Sequence, residues 1–345
     1  MQCFSHLLHG ISFRKKNSRF VKSSIKIVVL GIVLLGFGAL RFPFEVKLSK
    51  DLRVGGLTPA PLEIDTRDKI DQTSSAVVLG GLRTLVATFL NLRAFSYFQE
   101  QKWDDVAESF RTIVDLAPRT RYYWETGAWH SAYNAASYYY NDSKLAPLRR
   151  REAWRMSIVR GRAFLERGIR NNPDDWRLHS YLGFMLADAN KFPAFQDPNA
   201  TFAASADAYG KAVATGKAMD FTRRAQLYSL ARVKGREAEA LALVRSLYAT
   251  RGNQTPTIKT LLFILEAYQN PQMEMEKRAT EIFETPEKAY SALCNQWVRT
   301  RELYPVYGIA EALGGLEVTL KKDPNESIFK QPLQSPTMTD DWFTK

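Results

Sequence analysis

The residues best suited to chemistry cluster in one stretch, RYYWETGAWHSAYNAASYYYND, residues 121–142. Tyr122, Trp129 and Tyr133 follow one another at spacings of 7 and 4, which puts three rings on one helical face, with Glu125 between the first two. Rings on one face beside a carboxylate bind an extended peptide or a glycan by stacking and hydrogen bonding. The competing reading is that the same rings are core packing. Glu125 with Asp174 or Asp175 would make a carboxylate pair for glycoside hydrolysis if the fold brought them together. His130 and His179 stand 49 residues apart with no H-E-x-x-H, and the two cysteines, Cys3 and Cys294, make neither a four-cysteine zinc site nor a disulfide framework. There is no P-loop, no G-x-G-x-x-G behind a strand and no G-x-S-x-G. The expectation is therefore binding without catalysis: no catalytic residue, no metal and no cofactor.

Charge narrows the partner class. The net charge of the 345 residues is +12, and Arg14, Lys15, Lys16, Arg19, Lys22 and Lys26 supply six positives with no acid among them. The rest of the chain is only mildly basic, so no nucleic-acid partner is expected. Eight arginines between Arg149 and Arg170 face only Glu152 and Glu166. They form either a solvated face with local ion pairs or a surface for anionic headgroups or an acidic partner.

The basic arm, residues 1–26, leads into an apolar run of 14 residues, Ile27 to Leu40. As a helix the run spans about 21 Å, short of the roughly 30 Å hydrocarbon core, and Lys26 and Arg41 can snorkel while Phe42 and Phe44 extend it. The leading reading is an uncleaved signal anchor over 27–42. A cleaved signal peptide ending near Gly36 and Gly38, and a buried soluble helix, are the alternatives. Lys22, Lys26 and Arg41 flank the anchor, and the positive-inside rule puts the arm in the cytoplasm and the remaining mass outside. Residues 43–73 read as a linker broken by Pro43, Gly55, Gly56, Pro59 and Pro61; residues 323–345 read as an extended tail in which Trp342 and Phe343 are a docking handle or pack on the nearest helix.

Residues 74–322 have helical character with little strand alternation. In LNLRAFSY…VAESFRTIVDLAP, Leu90, Ala94 and Tyr97 are followed by Val106 and Phe110 and closed by Pro118. The pattern resembles a tetratricopeptide repeat, W-x2-L-G-x2-Y, then A-x3-F, then proline. It recurs at Trp124, Gly127 and Ala128 with Gly161, Leu165 and Pro173; at His179, Leu182 and Gly183 with Ser205 and Tyr209; at Leu227, Tyr228 and Ala231 with Ala240 and Val244; and at Ile258, Leu261 and Leu262 with Ala279 and Phe283. A degenerate sixth copy starts at Trp297 and Tyr304. First-slot positions 90, 124, 179, 224, 258 and 297 differ by 34, 55, 45, 34 and 39, and the excess falls in turn-rich loops.

The resemblance implies an all-α fold: five or six degenerate helical hairpins stacked into a solenoid behind one transmembrane helix. Residues 77–94 would be a leading helix, apolar enough to touch the membrane surface. The family's first helices line a concave groove, so Tyr122, Glu125, Trp129 and Tyr133, with Phe95 from the preceding hairpin, are the expected binding residues. The implied role is a scaffold holding a protein or peptide partner at the inner membrane of a bacterial envelope, with its C-terminal domain in the periplasm. Alternatives are a carbohydrate-active enzyme on a helical toroid and a self-assembling homo-oligomer.

Overall fold

The structure is a computed structural model. It describes residues 82–301 and 304–331, with a scatter of positions between Val29 and Lys47. Lys22, Lys26, most of the 43–73 stretch, Trp342 and Phe343 lie outside the described residues. Everything regular that is described is helical, with no strand among the described residues. Described positions of the apolar run, among them Val29, Ile32, Val33, Phe37 and Leu40, are helical and exposed, as is Arg41. Pro43, Phe44 and Lys47 are helical too, past the expected 42/43 boundary; a proline removes one hydrogen bond but does not by itself end a helix. Among the described residues, no helix is long and apolar enough to cross a membrane.

The chain divides into two compact units, Met1–Glu100 with Glu108–Thr120, and Gln101–Ala107 with Arg121–Lys345. In the first unit, α1 (Arg83–Gln99) buries only Ala87 and Ala94. Its larger apolar side chains Leu85, Phe89, Leu92 and Phe95 are exposed. The next helix, α2 (Trp103–Leu116), is divided between the units after Ala107; it has Asp104 and Asp105 in its first turn, where carboxylates complement the dipole, and buries Val106, Phe110, Ile113 and Val114 at helical spacing.

Beyond Gln101–Ala107, the second unit is a succession of helices: α3 (Arg121–Trp129), a π-helical stretch (His130–Ala135), α4 (Ala136–Asn141), α5 (Pro147–Asn171), α6 (Trp176–Ala187), α7 (Pro198–Ala214), α8 (Asp220–Leu230), α9 (Glu237–Tyr248), α10 (Pro256–Gln269), α11 (Met275–Phe283), α12 (Pro286–Thr300) and α13 (Ile309–Thr319). The starts are written in side chains. Asp197, Thr255 and Thr285 each accept a backbone N–H inside the helix they open, and each is followed by a proline at the first helical position. Asp175 caps α6, accepting Arg177 N–H at 3.0 Å.

Each helix packs on its neighbours in sequence: α3 through α4 on α5, α6 on α7, α7 on α8, α9 on α10 and α12 on α13, with lighter contact between α8 and α9 and between α10 and α11. Small residues set how closely they pair. A Cβ on Gly161 would stand 2.7 Å from the Ala132 Cβ and 2.9 Å from the Ala128 carbonyl, and one on Gly183 would stand 2.7 Å from the Tyr209 ring. These glycines are required because another helix occupies the space. Between α6, α7 and α8 the contact is also polar: the buried Ser205 hydroxyl donates to Gly183 O at 2.8 Å and meets Ser229 Oγ at 2.8 Å. From α8 onward one continuous apolar core runs through Leu227, Val244, Leu261, Ile282, Leu293 and Leu313.

Two boundaries differ from expectation. The last helix pair starts at Pro286, not at Trp297, which falls in the final turn of α12; the Thr285-Pro286 start signal marks the true beginning. The first part of the expected tail is docked: Ile328 is buried, Phe329 meets Trp297 edge-on at 5.5 Å, and the Glu317 carboxylate accepts from Ser327 Oγ and Ile328 N, both at 2.9 Å.

Candidate functional site

Three helices, α3, α6 and α8, come together in the second unit, where α3 touches α6 and α6 touches α8. Along them runs an open groove of about 810 Å3. Its walls are Tyr122, Glu125, Thr126 and Trp129 from α3, then Trp176, Arg177, Ser180, Tyr181 and Phe184 from α6. Phe221 and Ala225 from α8 close the far end, and Tyr209 of α7 shows through between α6 and α8. Tyr122, Trp129, Phe184 and Phe221 each leave around half their surface exposed in it.

Ring geometry separates two roles. Trp129 is 43% exposed and lies flat on Tyr133, centroids 4.1 Å apart at 11°. Tyr133 in turn stacks on Phe184 at 6.4 Å and carries the Lys191 ammonium 4.7 Å over its ring. Its hydroxyl is buried, and burial, with Asp188 beside it, holds its pKa far above the usual tyrosine value. Tyr133 is thus a backing for Trp129 and does not line the groove. Trp124, one turn away, is fully buried; the stretch of aromatics is core on one side and groove wall on the other. Phe95 is 58% exposed and stacks on Phe98 at 6.1 Å, but it belongs to the first compact unit.

One charged group is set into the groove. Glu125 receives Arg121 Nε at 3.2 Å, and the same guanidinium lies 3.9 Å from Asp175. Burial pushes the Glu125 pKa up, Arg121 and Arg177 pull it down, and Asp175 adds to the rise. The carboxylate pair weighed for glycoside hydrolysis therefore exists as neighbours, but with an arginine between them and an open groove in front. Tyr181, whose hydroxyl is buried without a hydrogen-bond partner, has its pKa raised by burial and by Glu125.

The other sequence candidates lie outside the groove wall. Half of the arginine run is engaged locally: Arg155 binds Glu152, Arg160 binds Asp104 and Arg162 binds Glu166, each at 2.8 Å, while Arg167 packs over Trp124. Cys294 is half-buried beside the C-terminal core, where burial raises its thiol pKa. Among the described residues no cluster of histidine, cysteine and carboxylate side chains is fit to hold a metal ion.

The two histidines back the groove helices. His179 donates Nε2–H to Pro173 O at 2.8 Å, and Asn134 donates to His130 Nδ1 at 2.8 Å. Burial lowers both pKa values from 6.5. With the folded values depressed, the unfolded chain takes up protons first as pH falls. Stability therefore drops from about pH 6.5 down to the folded pKa values, by at most about 1.4 kcal/mol per pH unit for each histidine. His179→Gln keeps a donor for Pro173 and is expected to flatten its share of that slope. Urea midpoints between pH 7 and pH 5 check this: midpoints of the parent and the variant that fell in parallel would acquit His179.

What the sequence alone did not name is the α6 half of the groove. The signal was present: moving Tyr122, Glu125 and Trp129 forward by the 55-residue spacing between the second and third first-slot positions lands on Arg177, Ser180 and Phe184, all three in the wall. Compared with known proteins, the chain matches no family model, no curated protein and no solved structure.

Proposed function

We propose that this chain is a membrane-tethered scaffold of tetratricopeptide-like architecture, and that it holds an extended segment of a partner protein in the α3–α6–α8 groove without chemistry of its own. The observation that carries the reading is the register: equivalent positions of successive first helices supply the wall, with exposed rings at Tyr122, Trp129, Phe184 and Phe221. Rings spaced along an open channel suit an extended chain, whose side chains they stack on at intervals. Glu125 and Arg177 add charges of opposite sign to orient it. The close approaches at Gly161 and Gly183 support the family resemblance, since they fall where the repeat needs small residues.

The tether is the apolar run behind the basic arm. Lys22 and Lys26 on one side and Arg41 on the other suit a single-pass anchor of the inner membrane with its N-terminus in the cytoplasm. The groove then works in the periplasm, where tethering raises its local concentration for other envelope components.

Photo-crosslinking from position 129 in native membranes tests the reading. One dominant adduct with another protein is the expected result and identifies the partner. Adducts confined to neighbouring helices of this chain would refute the groove as a recognition surface.

A further inference from the structure

The first unit presents an apolar helix face to solvent. In α1, Leu85, Phe89 and Leu92 follow one another at spacings of 4 and 3, Phe95 adjoins them, and all four are more than half exposed. Thr88, Ser96 and Gln99 share that arc, so it holds no charge. The Thr88 hydroxyl donates to Thr84 O at 3.0 Å and so needs no water. The opposite side is apolar as well: Ala87 and Ala94 are buried and Leu90 is partly buried. A helix apolar on both sides belongs where both sides are out of water. Protein covers one side, and a contiguous exposed patch such as the other marks an interaction surface.

Charge and spacing choose the occupant. Arg83 and Arg93 are the charged residues of α1, and no acid accompanies them within the helix, which matches a layer of anionic headgroups. Arg93 flanks the exposed arc with its guanidinium 5.4 Å over the Tyr97 ring. A cation with an amphipathic ring suits the boundary between headgroups and acyl chains. A second copy of α1 fits less well. The 4-3 spacing gives out at Ser96 and Gln99, short of the three to four heptads that a coiled coil takes, and a facing α1 has no acid within it for Arg93. Length decides the mode of contact. The 17 residues of α1 rise about 26 Å, less than the roughly 30 Å hydrocarbon core, and Asn91 and Arg93 interrupt its apolar residues. Such a helix lies along a bilayer and does not cross it.

We propose that α1 is an interfacial helix that sets Leu85, Phe89, Leu92 and Phe95 into the boundary between headgroups and acyl chains of an anionic bilayer. The surface shares the membrane setting of the proposed tether, but neither the apolar run nor the groove supplies any of its residues.

The test places a photo-crosslinker at position 89 of the full chain in vesicles of phosphatidylethanolamine and phosphatidylglycerol, with adducts mapped by mass spectrometry. The expected result is lipid adducts from position 89 well above those from the same probe at Leu148, a more exposed leucine of the second unit. Leu92→Glu changes an exposed side chain and spares the core. It should lower the lipid yield from position 89 about tenfold, the effect of losing one leucine's burial. Equal yields at 89 and 148, or a yield at 89 that ignores Leu92→Glu, would overturn the proposal. A probe at Val33 reports the tether separately. Lipid adducts from 33 with none from 89 would remove α1 from the membrane and leave the tether; adducts from 89 with none from 33 would uphold α1 and count against the tether. Adducts from 89 that join heavy- and light-isotope chains would overturn the proposal in favour of a second copy, and adducts confined to the same chain would make the protein itself the cover.

Discussion

Trp124→Ala is expected to cost about 3–5 kcal/mol of stability, the range for truncating a large buried ring. The ring is fully buried and lies 4.9 Å from Phe164. A Cβ on Gly168 would stand 2.9 Å from the indole, so α5 already lies as close to it as backbone allows. Truncation leaves a hole between α3 and α5 that neither helix closes by moving nearer, because Gly161 and Ala132 are already in contact further along the same pair. Urea denaturation checks the value. Since the chain has two compact units, the transition to read is the one belonging to the unit that contains Trp124. A loss below about 1 kcal/mol would mean that the α3–α5 interface does not depend on this ring.

The helices were legible from the sequence because burial at helical spacing and cap residues are local signals. Long-range packing set the rest. The 21-residue excess between the second and third first-slot positions reads as a loop around NDSKLAPLRRRE. In the structure it is mostly helix: the π-helical stretch, α4 and the N-terminal half of α5. That half earns its place by burying Trp154 and Ile158 against Ala136 and Ala194, a contact between residues far apart in the chain that no local pattern announces. The NKFPAFQDPNAT segment behaves alike. Phe192 anchors it against Phe202, so a stretch of turn residues becomes a wall of the small cavity that Phe192 lines with Phe202, Tyr209 and Tyr304.

The candidate site was half legible for a different reason. A single aromatic-rich helix draws attention by composition, whereas the α6 wall is chemically ordinary. Arg177, Ser180 and Phe184 become visible only through the repeat register, which assigns them the roles of Tyr122, Glu125 and Trp129. Composition also misled at Tyr133. Its spacing from Trp129 puts it on the same helical face, but the π-helical stretch begins at His130, between the two, and Tyr133 turns inward under Trp129 with its hydroxyl beside Asp188. Phe95 shares the groove-face slot by register, yet it sits in the other compact unit.

That division of roles predicts how the neighbouring tryptophan responds. Trp129→Ala removes the outer ring of a stack whose inner ring, Tyr133, remains held by Phe184 and Lys191. No cavity opens, because the space vacated is already partly solvent, so the stability change should stay within about 1 kcal/mol. Partner capture should fall about 30-fold or more, the cost of losing a central aromatic anchor. The measurement is adduct yield from a crosslinker moved to position 184, which views the same groove from α6 and leaves position 129 free to vary. Trp129→Phe, which keeps a ring over Tyr133, should recover much of the yield. Equal yields from Ala and Trp at 129 would remove the ring from recognition and leave the groove's binding to α6 and α8. A stability loss approaching that of Trp124→Ala would instead assign Trp129 to the core.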